Sequence, residues 1–327
     1  MSAHSSSTAA ALALIEEDMH AMDAVIAERL SSDVPLVSQV SHYIISAGGK
    51  RLRPALLLLM CGALGFRGNQ RYNLAAVVEF IHTATLLHDD VVDGSTLRRG
   101  RATANEAFGN PASVLVGDFL YSRAFQMMVD AGDMRIMQTL AEATNVIAEG
   151  EVLQLMNMLD ASLSEEGYLR VVRSKTAKLF EASARLAALL AQVPADTEAQ
   201  CAQYGQALGT AFQVIDDVLD YDGDVKEMGK NLGDDLREGK ATLPLIIAMQ
   251  RGSVEECALM RLAIETGGDA QIARVIAIVQ KTGALDATRH CAAAEAQRAL
   301  DSLHCLPQNP YSEALMQLAS QLLLRRV

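Results

Sequence analysis

Apolar residues recur every three or four positions through long stretches of this chain. Leu12, Ile15, Met19, Met22, Ile26 and Leu30 mark one helical face over residues 11–30. Pro35 opens a second helix that stops near Gly48 and Gly49. Pro54 opens a third, PALLLLMCGALG, which is apolar all round and should be buried. Further helices are predicted over residues 74–93, 112–131, 134–158, 165–193 and 201–221, the last ended by the Asp-Gly pair at 222–223. Residues 165–193 read as one continuous helix, with Leu169, Val172, Thr176, Leu179, Ser183, Leu186 and Leu190 on one face. Others start at Leu243, Ser253, Asp269, Ala284 and Ser312. No stretch sustains period-2 alternation, so no substantial sheet is expected. No fixed repeat and no low-complexity linker divides the chain. The prediction is an all-α protein: residues 1–10 form a disordered polar tail, and 11–327 form a single domain of long helices packed around a common centre.

Composition agrees. Hydrophobic residues make up 50% of the 327 positions, which excludes a disordered chain. Aromatics are 4% and Trp is absent, so the core is built from Ala, Leu, Ile, Val and Met, a palette that favours helices. The net charge of −12 argues against nucleic acid as a general partner, and an anionic substrate needs a local basic pocket. The five cysteines (61, 201, 257, 291 and 305) contain no CxxC pair, which fits free thiols in a reducing cytosol. The start MSAHSSSTAA lacks a basic n-region, and the longest apolar stretch, 54–66, is shorter than the ~20 residues of a membrane helix. A soluble cytoplasmic protein without a transmembrane segment is expected.

Two acidic clusters interrupt this pattern. LLHDDVVDG places Asp89 and Asp93 four apart on one helical face, with Asp90 beside them. FQVIDDVLDYDGD repeats the arrangement with Asp216, Asp217 and Asp220. Both fall in the last turns of apolar helices. Like charges at i, i+4 repel by a few tenths of a kcal/mol. Carboxylates at a helix C-terminus oppose its dipole by about 0.3–1 kcal/mol, and partial burial among Val91, Val92, Val218 and Leu219 adds a desolvation cost. A divalent cation removes all three penalties. With oxygen ligands and no nearby Cys or paired His, Mg²⁺ suits best, and it characteristically shares its shell with substrate phosphates.

Basic residues supply a counterpart. GGKRLRP sets Lys50, Arg51 and Arg53 beside glycines that let the backbone approach a ligand. Arg grips phosphate with its fork and Lys acts as a point charge. GSTLRRGRATAN brings Arg98 and Arg99 just after the first acidic cluster, where a loop from Gly94 can return them toward it. His82 lies two turns before Asp89. Lys175 and Thr176 stand inside an otherwise apolar helix, and GKNLGDDLREGKATLP sets Lys230, Asp234, Asp235 and Lys240 in a glycine-marked loop. Acidic walls, metal ions and converging Arg and Lys describe a diphosphate site. No Ser–His–Asp or Cys–His arrangement is recognisable.

Taken in order, GGKRLRP, HDDVVD, LRRG, VGDFLYSRAF, AEGEVLQL, SKTAKLFEAS, GTAFQVIDDVLDY and GKNLGDDLREGKATLPL resemble the trans-isoprenyl diphosphate synthase (polyprenyl synthetase) family over most of the chain. The resemblance implies a single bundle of long helices around a deep central cavity, a homodimer, and about three Mg²⁺ ions per active site with substrate bound. It implies that Lys50, Arg53, His82 and Arg99 bind isopentenyl diphosphate. Arg98, Lys175, Thr176 and Gln213, with Lys230 and Lys240 assisting, would bind an allylic prenyl diphosphate. Asp89, Asp93, Asp216 and Asp220 would be the metal ligands, and Asp89, Asp93, Asp216 and Lys175 the catalytic set. No departure from the family pattern occurs at these positions. The implied reaction is ionisation of the allylic diphosphate, attack by the double bond of isopentenyl diphosphate, and proton loss to the leaving group, with water excluded by the apolar helices. Release of an apolar product implies peripheral membrane contact.

Short-chain relatives block the product tunnel with aromatics four or five residues before the first Asp. Here those positions hold Thr85 and Ala84, which predicts a long product, about C40, with Met127, Met128 or Met137 as a floor. Other readings stay open: a shorter-chain synthase, a non-catalytic subunit of a heteromeric synthase, a terpene cyclase, which would not need GGKRLRP, and a helical scaffold or lipid-binding protein.

Overall fold

The computed structural model describes residues 11–46, 48–98, 100–222 and 232–324. The expected tail at 1–10, and Arg99 and Lys230 among the site candidates, lie outside them. Sixteen helices follow in chain order among the described residues. They are α1 (Glu16–Arg29), α2 (Pro35–Ser46), α3 (Leu52–Ala63), α4 (Gln70–Val92), α5 (Ala104–Phe108), α6 (Asn110–Asp130), α7 (Met134–Met156), α8 (Glu165–Val172), α9 (Lys178–Leu190), α10 (Ala195–Asp222), α11 (Asp234–Arg237), α12 (Leu243–Arg251), α13 (Val254–Thr266), α14 (Ile272–Lys281), α15 (Ala284–Ser302) and α16 (Pro310–Leu322). Among the described residues, strands are confined to a hairpin of β1 (Leu97–Arg98) and β2 (Arg101–Ala102), in which Leu97 pairs with Ala102 and Arg98 with Arg101.

The helices form two compact units. One comprises Met1–Thr144, Leu179–Gly205 and Ser302–Leu318; the other comprises Asn145–Lys178, Gln206–Asp301 and Ala319–Val327. In the first, α3 is buried on every face from Pro54 to Ala63, as its unbroken apolar run requires. Asn309 closes its end: Nδ2 donates to the Ala63 carbonyl at 2.9 Å, while Oδ1 accepts from the Tyr311 and Ser312 amides at 3.0 Å. The long helices α4 and α6 lie side by side. The Ser113 hydroxyl donates to the Leu87 carbonyl at 2.8 Å, and the Asn73 amide to Met127 at 3.1 Å. The second unit packs α10, α12, α13 and α14 around Val214, Val218, Leu243, Ile246, Ile264 and Val275. Ser253 and Glu256 form a capping box at the start of α13.

The helix expected over 165–193 is not continuous. Arg173–Ala177 form a π turn between α8 and α9. The loop expected around GKNLGDDLREGK contains the single-turn helix α11. The other predicted helices occur with ends moved by a few residues.

Backbone approach is closest at Gly205 in α10. A methyl group there would lie 2.3 Å from the Phe180 carbonyl oxygen of α9. Gly205→Ala would gain up to about 1 kcal/mol of helix propensity, but must push two backbones apart. A net loss of about 2 kcal/mol is expected, read as a lower urea midpoint with an unchanged slope.

Candidate functional site

In the first unit, the GGKRLRP segment turns through Gly48 at φ 72° and reaches Arg51 at φ 44°. A non-glycine residue in this left-handed region costs on the order of 1–2 kcal/mol. Arg51 is held there by ion pairs to Asp23 and, at 3.8 Å, to Glu79. The tether turns Arg51 toward α1 and α4 and starts α3 at Leu52. Arg53, in the first turn of α3, then lies with Nη1 3.2 Å from Nε2 of His82 on α4 and with its guanidinium 4.6 Å over the Phe180 ring. Arg53 and His82, 29 residues apart in sequence, are thus brought together as expected. Phe180 carried no signal beyond being apolar. Lys50 is exposed on the same segment.

At the end of α4, Asp89 and Asp93 are half-buried, with the Asp93 amide bonded to the Asp89 carbonyl at 2.8 Å. Asp90 between them is fully buried. Its Oδ1 accepts both Nε and Nη2 of Arg98, at 2.9 and 2.7 Å. The loop from Gly94 (φ 63°) therefore does return Arg98 to the acidic cluster. The hairpin carrying Arg98 is fastened by the Thr103 hydroxyl and the Asn105 amide, both donating to Ser95 O, and by the Ser95 amide donating to Asp90 O. Asp90 as the partner of Arg98 was not foreseen, although it stood inside the acidic motif. Upstream, Ala84 is fully buried, while Thr85 is half-buried and donates to His82 O at 2.8 Å. Met127 and Met128 are buried on α6. The α4–α6 contact depends on Gly117, where a methyl group would overlap the His88 ring.

The second unit contains a cavity of about 160 Å³ lined by Tyr168, Lys175, Thr176, Gln213, Asp217 and Lys240, among others. Four sequence-predicted residues, Lys175, Thr176, Gln213 and Lys240, therefore share one wall-bounded space. Lys175 and Thr176 reach it from the π turn, a local widening that often marks functional positions. Gly150 of α7 admits this turn: a methyl group there would lie 2.8 Å from the Lys175 amide nitrogen. Lys175 Nζ meets Glu151 at 2.5 Å, and Lys240 Nζ meets Glu238 at 2.5 Å.

Asp216 is half-buried, whereas Asp217 and Asp220 are buried. Asp220 Oδ2 accepts the Asp235 amide at 3.2 Å and its carbonyl accepts the Gly233 amide at 2.8 Å, which fixes α11 against the end of α10. Asp217 takes the Tyr168 hydroxyl on Oδ2 at 2.6 Å and the Gln213 amide on Oδ1 at 2.8 Å. Burial pushes its carboxyl well above the usual carboxylate range, and the nearby Asp235 charge adds to this. Burial likewise raises the Tyr168 hydroxyl, again with a carboxylate, Asp217, as the next cause. Tyr168 was missed in the sequence, where it falls outside the apolar face given to the helix over 165–193.

These donors fit a hard cation. Both clusters are oxygen-only, and Asp90 Oδ2 is buried without a hydrogen-bond partner among the described residues. No group of three or more His, Cys, Asp or Glu converges into a closed cage among the described residues.

Residues 34–281 match the polyprenyl synthetase family. The chain is 52% identical over 307 residues to octaprenyl diphosphate synthase of Escherichia coli K12, covering 94% of this chain and 95% of that protein. It is 48% identical over 310 residues to the all-trans-nonaprenyl-diphosphate synthase (geranyl-diphosphate specific) of Rhodobacter capsulatus, covering 94% of each. Its fold matches a crystal structure of polyprenyl synthase from Caulobacter crescentus CB15, complexed with calcium and isoprenyl diphosphate, at a TM-score of 0.94 and 44% identity over 98% of both chains.

Proposed function

The chain belongs to the polyprenyl synthetase family, and from that membership we propose a long-chain trans-polyprenyl diphosphate synthase that makes the octaprenyl (C40) chain for quinone side chains. It is a prenyltransferase. It condenses isopentenyl diphosphate head-to-tail onto an allylic diphosphate such as farnesyl diphosphate. The observation that carries this reading is the cavity of the second unit, where Lys175, Thr176, Gln213 and Lys240 line one space beside the acidic end of α10. Cations and amides around a small cavity next to carboxylates suit a diphosphate and its counter-ions.

In this reading Lys50, Arg53, His82 and Arg99 hold isopentenyl diphosphate. Arg53 is aimed by His82 and by the Phe180 face. Arg98, oriented by Asp90, binds allylic diphosphate together with Lys175, Thr176, Gln213, Lys230 and Lys240. These charges stabilise the departing diphosphate as the allylic C–O bond breaks. The double bond of isopentenyl diphosphate then attacks the allylic cation, and a proton leaves to the released diphosphate. Asp89, Asp93, Asp216 and Asp220 are the proposed ligands for Mg²⁺, about three ions with substrate, which supplies neutralisation of the diphosphate charge. Asp216 and the Asp89–Asp93 pair are half-buried, while Asp220 is buried and also serves α11.

The partner is proposed to be a second copy of the chain. Val114, Phe125 and Val129 leave an exposed apolar stripe along α6, one face of the first unit. No helix among the described residues is long and apolar enough to cross a membrane. We place the enzyme in the cytoplasm, with peripheral membrane contact for product release and residues 11–327 acting as a single synthase domain.

The test is incubation with farnesyl diphosphate, radiolabelled isopentenyl diphosphate and Mg²⁺, followed by separation of the dephosphorylated products. A ladder ending near C40 and abolished by EDTA is expected. A ladder stopping at C15 or C20 overturns the product length alone, and no incorporation by the folded protein overturns the catalytic reading.

A further inference from the structure

Tyr168 is buried, and its hydroxyl does something different from that of another buried tyrosine in the chain. Tyr204 satisfies its hydroxyl on a backbone carbonyl, Leu315 O, at 2.8 Å. Tyr168 instead donates to Asp217, inside the acidic cluster. The other Asp217 oxygen accepts the Gln213 amide at 2.8 Å, and Gln213 Oε1 accepts the Thr176 hydroxyl at 3.0 Å. Four side chains form one line. One Asp217 oxygen accepts from Tyr168 and the other from Gln213 Nε2, which turns Gln213 Oε1 toward Thr176. That in turn commits the Thr176 hydroxyl proton to Gln213 and leaves the second Gln213 N–H for another acceptor.

The π turn makes the line possible. In an unbroken α-helix eight residues turn through 800°, so Tyr168 and Thr176 would point about 80° apart. A π turn absorbs one extra residue. The pair then behaves as if seven residues apart, about 20° from alignment, and both meet Gln213 and Asp217, which are one turn apart on α10.

We infer that Tyr168 is a positioning residue: through Asp217, its hydroxyl sets the orientation of Gln213, whose second amide N–H is left for a diphosphate oxygen in the cavity for the allylic diphosphate. The inference rests on the functional reading above. Tyr168 need touch no substrate. Its removal weakens diphosphate binding through the line of hydrogen bonds and leaves the isopentenyl diphosphate residues unaffected.

The test compares Tyr168→Phe, which removes one oxygen, in two backgrounds: wild type and Gln213→Leu. Binding of inorganic diphosphate with Mg²⁺ is measured by calorimetry, and KM by steady-state kinetics for each substrate. In the wild-type background Tyr168→Phe is expected to weaken diphosphate binding and raise the allylic KM about ten-fold, the size of one lost hydrogen bond. The KM for isopentenyl diphosphate should stay within about two-fold, and so should the effect in the Gln213→Leu background. An equal loss in both backgrounds marks a merely structural tyrosine and overturns the inference. So does no loss, a matching rise in both KM values, or a wild-type protein that does not bind diphosphate. A wild-type protein that binds diphosphate but elongates nothing overturns the catalytic reading, and the binding comparison still decides the role of Tyr168.

Discussion

Asp216→Ala is expected to lower kcat by on the order of 1,000-fold, equivalent to about 4 kcal/mol of transition-state stabilisation. The residue sits in the last turns of α10, half-buried, between a neighbour whose carboxyl is already pushed up by burial and a helix terminus that disfavours negative charge. Removing its carboxylate relieves repulsion, so the folded protein should be at least as stable as wild type in the absence of metal. Activity and stability therefore move in opposite directions, which separates a metal-binding role from a packing role. Asp89→Ala should behave alike, because Asp89 is the half-buried partner of Asp93 at the end of α4. The checks are labelled isopentenyl diphosphate incorporation across a Mg²⁺ titration and a urea melt. Activity within ten-fold of wild type would refute the assignment of these carboxylates.

Thr85→Phe is expected to shorten the product without stopping the reaction. Thr85 lies one helical turn before Asp89, on the same face of α4, and is half-buried. An aromatic ring there would occupy space that a growing apolar chain needs. The ladder should end at C15 to C20 instead of near C40, with the first condensation still fast. The structure distinguishes this position from its neighbour. Ala84 is fully buried, so Ala84→Phe overpacks the core and should cost about 1–3 kcal/mol of stability. The experiment is chromatography of the dephosphorylated products beside a thermal melt of each variant. Full-length product from Thr85→Phe would show that the chain does not grow along this face.

Much of the site was legible in the sequence because its chemistry conflicts with its surroundings. Paired aspartates at the ends of apolar helices, three cations in four residues after two glycines, and a lysine inside an apolar face are each costly unless a ligand compensates. The structure places Arg53 beside His82, and Lys175, Thr176, Gln213 and Lys240 around one cavity. Tyr168, Phe180, Asp90 and Glu151 were not distinguished, because a side chain that positions another looks in sequence like ordinary core or surface. Only its partner gives it meaning, and the partner is distant along the chain, as Asp217 is from Tyr168.

By itself the sequence determined the helical class, the approximate bounds of the helices and the residue types available for diphosphate and metal. These follow from local periodicity and from the cost of burying charge, which are properties of single segments. Tertiary structure alone decided that Arg51 is a tether while Arg53 faces His82, that Asp90 holds Arg98, and that a π turn interrupts 165–193. The π turn is the sharpest case. Its five residues have unexceptional helix propensity, and nothing local favours the wider turn. It is stabilised by contacts that exist only after folding: the close approach of Gly150 and the line from Tyr168 to Thr176 across α10. A shift of one residue in helical phase is invisible to a periodicity that several neighbouring residues satisfy almost equally well.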